Sequence, residues 1–147
     1  MGGVLIILFS IGLYKGIQEA NYSWIGPLIL VLWGLFDSIG SSIFPCDPGC
    51  VGVTFTGKMH LVVSGIGMLL ITTAPFFVWR SLKGEEKWQG YDTFTLIVWI
   101  IALLMFGVFM YSYATGLLIG LIQRIAYLIY LSWILILSIK LLKLYKQ

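Results

Sequence analysis

The chain is short of charge. Only 10% of its 147 residues are Asp, Glu, Lys or Arg, too few to coat a water-soluble globule. Histidine occurs once and Cys 2 times, which excludes a three-histidine zinc site and a multi-disulfide scaffold within one chain. Pro is limited to 4 positions, and no Pro-rich, Ser-rich or charged run marks a linker. Phosphate-cradling glycine motifs and a nucleophile elbow are missing; the 17 glycines are scattered through apolar stretches. The formal net charge of +3 is not concentrated in a basic patch interleaved with aromatics, so nucleic acid is excluded as a partner.

Apolar side chains are plentiful: 60% of the residues are hydrophobic and the mean hydropathy is +1.01. A hydrocarbon core about 30 Å thick takes roughly 20 apolar residues per helical crossing. Four stretches reach that length, at 24–44, 59–79, 92–113 and 120–142. They are apolar in continuous runs, whereas the strands of a membrane barrel alternate apolar and polar residues. A fifth stretch, 3–17, covers only about 22 Å at 1.5 Å per residue and reads as a short first helix or the tail of a longer one. Met1-Gly2-Gly3 lacks the basic start of a secretory signal, and Ile6 stands where a myristoylation motif needs Ser or Thr. The expected fold class is all-α, a polytopic transmembrane helical bundle of about five helices forming a single domain over 1–147.

If the segments alternate across the bilayer, Lys15, Arg80, Lys83, Lys87, Lys140, Lys143 and Lys146 share one side, leaving Lys58 and Arg124 on the other. The positive-inside rule then places the C-terminus in the cytoplasm. Met1 and the loop from Pro45 to Lys58 are expected outside, with the protein in the cytoplasmic membrane. The aromatics Trp24, Trp79, Trp88 and Tyr145 lie near helix ends, as in an interfacial belt.

One polar island interrupts the apolar sequence: Pro45-Cys46-Asp47-Pro48-Gly49-Cys50, followed by Lys58 and His60. Cys46 and Cys50 flank a turn-forming Asp-Pro-Gly and are candidates for a disulfide in an oxidising exterior. A thiol-exchange site would have two intervening residues and a helix start. No metal site is expected, because Cys46, Cys50, Asp47 and His60 lack a second closely spaced ligand pair. No cofactor motif is present, and none is expected.

Inside the spans, Asp37 demands a reason. It lies about 10 Å below the outer boundary, where a lone carboxylate costs on the order of 2.5 to 3.5 kcal/mol on insertion scales. Ser41 is one turn above it on the same face, while Ser64 continues the face of His60. Gln123 and Arg124 enter the last span at similar depth. Asp37, Asp47, His60, Arg124, Ser41, Ser64 and Gln123 are therefore the candidate ligand-binding residues. Pairing of Asp37 with Arg124 merely to neutralise charge is the structural alternative.

The order Trp24-Ile25-Gly26, Ile43-Phe44-Pro45-Cys46-Asp47, His60, Gly120-Leu121-Ile122-Gln123-Arg124-Ile125 and Trp133 resembles the prokaryotic "domain of unknown function 998" membrane proteins. The resemblance implies a bundle of about six helices, so that this chain lacks the first and 3–17 corresponds to the second. Glutamate is expected in that family where Gln123 stands, a departure that weakens acid chemistry there. No reaction comes with the resemblance.

The expected function is binding of a polar small molecule or lipid head group in a pocket open to the outer face. In that pocket Arg124 would hold an anion and His60 exchange a proton. A structural or partner-binding membrane subunit is the alternative. A lipid head-group hydrolase or transferase with His60 as base is a third reading, without a nucleophile or metal set to support it. Expected partners are membrane lipids and either further copies of the chain or another membrane subunit.

Overall fold

The structure is a computed structural model that describes residues 2–17 and 20–146. Among the described residues every regular element is helical, and there is no strand. The helices are α1 (Gly2–Ile17), α2 (Ile25–Ile43), α3 (Phe55–Leu82), α4 (Tyr91–Thr115) and α5 (Ile119–Leu144). With 19, 28, 25 and 26 residues, α2 to α5 are long and apolar enough to cross a membrane. α1, at 16 residues, is about 24 Å long and falls short of the hydrocarbon thickness. Met1, expected outside, lies beyond the described residues.

The five helices close into a ring, each packing on its neighbours in sequence and α1 returning to pack on α5. Leu13, Leu30, Trp33, Ile71, Tyr130, Trp133 and Leu137 fill the centre. Polar atoms carried into that centre find partners: the Trp133 indole donates to Thr95 Oγ1 at 3.2 Å, and the Tyr130 and Thr72 hydroxyls are 3.3 Å apart. Ser10, Thr72 and Ser138 donate to the carbonyl four residues earlier, which spares an apolar medium any free hydroxyl hydrogen. Of the apolar window of α3, 39% is buried, against 17% for α4, so α3 is the more enclosed and α4 faces mainly outward. Leu104, Leu128, Leu135 and Leu142 are among the exposed apolar side chains, a surface that needs lipid rather than water around it.

Two helix boundaries carry consequences. α3 begins at Phe55, before the 59 read from hydropathy, because the Thr54 side chain accepts the Gly57 N–H at 3.0 Å and caps the helix. Lys58 and His60 are thereby helical. In α2, residues Gly34–Gly40 form a π-helical stretch of 7 residues, flanked by glycine at both ends. Such stretches widen the helix and recur at functional sites. The buried residues of this one are Gly34 and Asp37. A Cβ on Gly3 would lie 2.8 Å from the Gly34 carbonyl oxygen, so glycine on α1 lets the two backbones meet at the π stretch.

The ends of the ring differ in charge. Lys15 and Lys87 lie together beside Tyr145, the Lys140 ammonium sits 5.3 Å from the Tyr91 ring centre, and the Trp88 indole donates to the Gly16 carbonyl at 3.3 Å. The opposite end carries the 45–54 loop, Lys58 and Arg124.

Candidate functional site

Asp37 is only 8% exposed and accepts a hydrogen bond from the Tyr127 hydroxyl of α5. Its place against α3 depends on Gly67: a Cβ there would come within 2.5 Å of the Asp37 Cβ. Trp33, one turn before Asp37, has its ring centre 6.3 Å from that of Tyr127. The Trp33 indole N–H is buried and close to the Asp37 carboxyl, yet among the described residues it completes no hydrogen bond of normal geometry. The π stretch, Gly67 and Tyr127 thus hold a carboxyl inside a membrane-crossing bundle with one strong donor on it.

Beside this carboxyl a cleft of about 270 Å³ runs between α3, α4 and α5. Asp37, Ser64, Gln123 and Tyr127 supply its polar lining, and Leu61, Met68, Phe109 and Met110 are among its apolar walls. Gly65, Met110 and Tyr113, also in the lining, are exposed on the outward face of the bundle, so the cleft opens sideways as well as along the helices. Ser41 stands behind the lining, its hydroxyl 3.1 Å from that of Ser64.

The 45–54 loop is a separate construction. Cys46 and Cys50 are joined by a disulfide. Asp47 organises the rest: Oδ2 accepts from the Val53 N–H at 2.7 Å and the Thr54 N–H at 3.0 Å, and Oδ1 from the Thr54 hydroxyl at 2.6 Å. Those bonds, the Thr54 hydroxyl first, hold its carboxyl below the usual carboxylate range. Gly57 lets it in, since a Cβ there would fall 2.0 Å from Asp47 Oδ2. His60 Nδ1 lies 2.8 Å from the Phe44 carbonyl. A carbonyl can only accept, so Nδ1 carries the proton and the ring pins the end of α2 to α3. One ring nitrogen of His60 and the two sulfurs lie within 4.8 Å of one another. Sulfurs bonded to each other offer no thiolate, so the three do not form a ligand set in this state.

Of the residues proposed from sequence, Asp37, Ser64 and Gln123 come together in the cleft, with Ser41 in support. Asp47 and His60 brace the loop instead. Arg124 is exposed and does not line the cleft, and among the described residues no ion pair joins it to Asp37. Successive helical residues point about 100° apart, so with Gln123 turned into the cleft Arg124 must turn out. Tyr127 and Trp33 were not among the candidate ligand-binding residues read from the sequence. Tyr127 follows Gln123 by one helical turn and Trp33 precedes Asp37 by one, the signal that marks both in the sequence.

No curated protein and no solved structure matches the chain. The family model described as "Protein of unknown function (DUF998)" matches residues 1–140, nearly the whole chain, and this multi-pass membrane protein belongs to that family.

Proposed function

We propose that the protein binds the polar head of an amphiphilic molecule, a lipid or a lipid-like compound, in the Asp37 cleft. The observation that carries this reading is a buried carboxyl, with no ion-pair partner among the described residues, at the polar end of a cleft otherwise walled by apolar side chains and open toward the lipid-facing surface. Membrane interiors tolerate ionisable groups where they serve a pathway or a ligand. The division of the lining suits one molecule with two characters: a head for Asp37, Gln123 and Ser64, and a tail that leaves past Leu61, Met68 and Met110.

The charge difference between the two ends supports an orientation in the cytoplasmic membrane with the lysine-rich end inside. The cleft then lies toward the outer leaflet. Arg124, exposed one residue from the cleft-lining Gln123, is available to an anionic group on the head or on a neighbouring lipid. Binding without turnover is the favoured form, since the His60 Nδ1 proton is committed to the Phe44 carbonyl and no paired nucleophile lines the cleft.

Native mass spectrometry of the chain purified in a mild neutral detergent tests the reading. A bound amphiphile is expected on the unaltered protein and is expected to be lost when Gly65→Phe fills the mouth of the cleft. A Cβ at Gly65 meets nothing within 4 Å, so a side chain can leave the backbone there without a clash at its first atom. The same adduct pattern on both proteins would refute it and favour a structural or partner-binding subunit.

A further inference from the structure

We infer that the cleft is selective for amphiphiles with a protonated primary-amine head, Asp37 serving as the counter-ion. This rests on the amphiphile reading above and adds the chemistry of the head. The lining contains one acid and no basic side chain. No basic group at this end of the bundle forms an ion pair with Asp37 among the described residues: Lys58 and Arg124 are exposed, and His60, the one basic residue with an electrostatic influence on Asp37, is tied through Nδ1 to the Phe44 carbonyl. A carboxylate in an apolar surrounding gains most from a positive partner in direct contact, and here the chain supplies no such contact among the described residues.

The remaining polar atoms agree with that sign. Tyr127 donates to Asp37 Oδ2, and a carboxyl has lone pairs beyond that one bond with which to accept from a ligand in the cleft that Asp37 lines. The Gln123 side-chain oxygen and the Ser64 hydroxyl add two further acceptors, matching the three N–H donors of an ammonium group. Phe109, Tyr113 and Tyr127 bring three aromatic rings to the lining, and an aromatic face attracts a cation. An anionic head would meet a carboxylate and no base. A neutral head would gain hydrogen bonds but leave the acid uncompensated. The cleft volume of about 270 Å³ accommodates an ammonium group and the first carbons of a chain, with the rest of the tail outside in lipid.

The test compares three probes of equal chain length, octylammonium, octanol and octanoate, by titration calorimetry on the full chain in neutral-detergent micelles. Octylammonium is expected to bind about tenfold or more tighter than octanol, and octanoate weakest. Asp37→Asn, which keeps the shape and an acceptor for Tyr127, is expected to abolish the preference while octanol binding stays. Equal affinity for octylammonium and octanol, or a preference that survives Asp37→Asn, overturns the inference and leaves the amphiphile reading standing. If none of the three binds to the unaltered protein, or if Gly65→Phe leaves all binding unchanged, both fall. Helical circular dichroism confirms that each variant is folded before it is scored.

Discussion

A methyl group at position 67 would come within 2.5 Å of the Asp37 Cβ, closer than packed carbons allow. Gly67→Ala must therefore displace Asp37 or separate α2 from α3, and should destabilise the protein by about 1–3 kcal/mol, the usual cost of overpacking. Thermal or denaturant unfolding in detergent measures it. Tyr127→Phe acts on the same site by subtraction, removing the donor to a buried carboxyl, and should cost about 1–3 kcal/mol. Because the two changes touch one contact, their effects should fall short of additive in the double variant. Asp47 belongs to the loop and obeys a different control. Its carboxyl is held below the ordinary value of about 3.9, so its contribution is complete above that value and is lost as pH falls through the lowered one. Hydrogen-exchange protection of the Val53 and Thr54 amides, both donors to Asp47, should drop in that acid window, and Asp47→Asn should show reduced protection at neutral pH as well.

At the scale of helices, run length made the four long spans legible, since about 20 apolar residues can do little else than cross a bilayer. What decided the start of α3 was capping: the Thr54 hydroxyl accepts from the Gly57 N–H, and hydropathy does not register it. The rotation of each helix about its axis was harder to read. In a soluble bundle the polar face names the outside, but here both the lipid-facing and the core-facing sides are apolar. That is why the sequence did not say which of Gln123 and Arg124, adjacent and about 100° apart around the helix, faces the cleft, and why an Asp37–Arg124 pair remained open until the structure placed Arg124 outside the cleft. The π stretch at Gly34–Gly40 escaped for a related reason, because a widened turn is selected by what packs around it. It also has a testable role. Deleting Phe36, an exposed residue of that stretch, should restore α-helical winding and turn Asp37 by about 100° away from Tyr127. The deletion should keep the helical content by circular dichroism, and Tyr127→Phe added to it should cost almost nothing further.

For the whole molecule, the asymmetry of charge and the position of the cleft are linked. The lysine-rich end and the loop end are opposite ends of one ring, so whichever leaflet receives the loop also receives the Asp37 cleft. In the orientation proposed above the lysine-rich end is the one retained in the cytoplasm, since moving each positive charge outward costs energy at an inside-negative potential. The only two cysteines report on this directly because both lie in the loop. In intact cells treated with a mild reductant, a membrane-impermeant maleimide should label the unaltered protein. A Cys46→Ser, Cys50→Ser protein carrying Lys143→Cys, at an exposed position near the other end, should be labelled only after lysis. The reverse pattern would turn the bundle over and place the cleft in the cytoplasmic leaflet. The preference for an ammonium head would be untouched by that result, because it depends on Asp37 and the lining. The pool of amphiphiles from which the head is drawn would change, which makes orientation and head-group selectivity two separately measurable halves of one function.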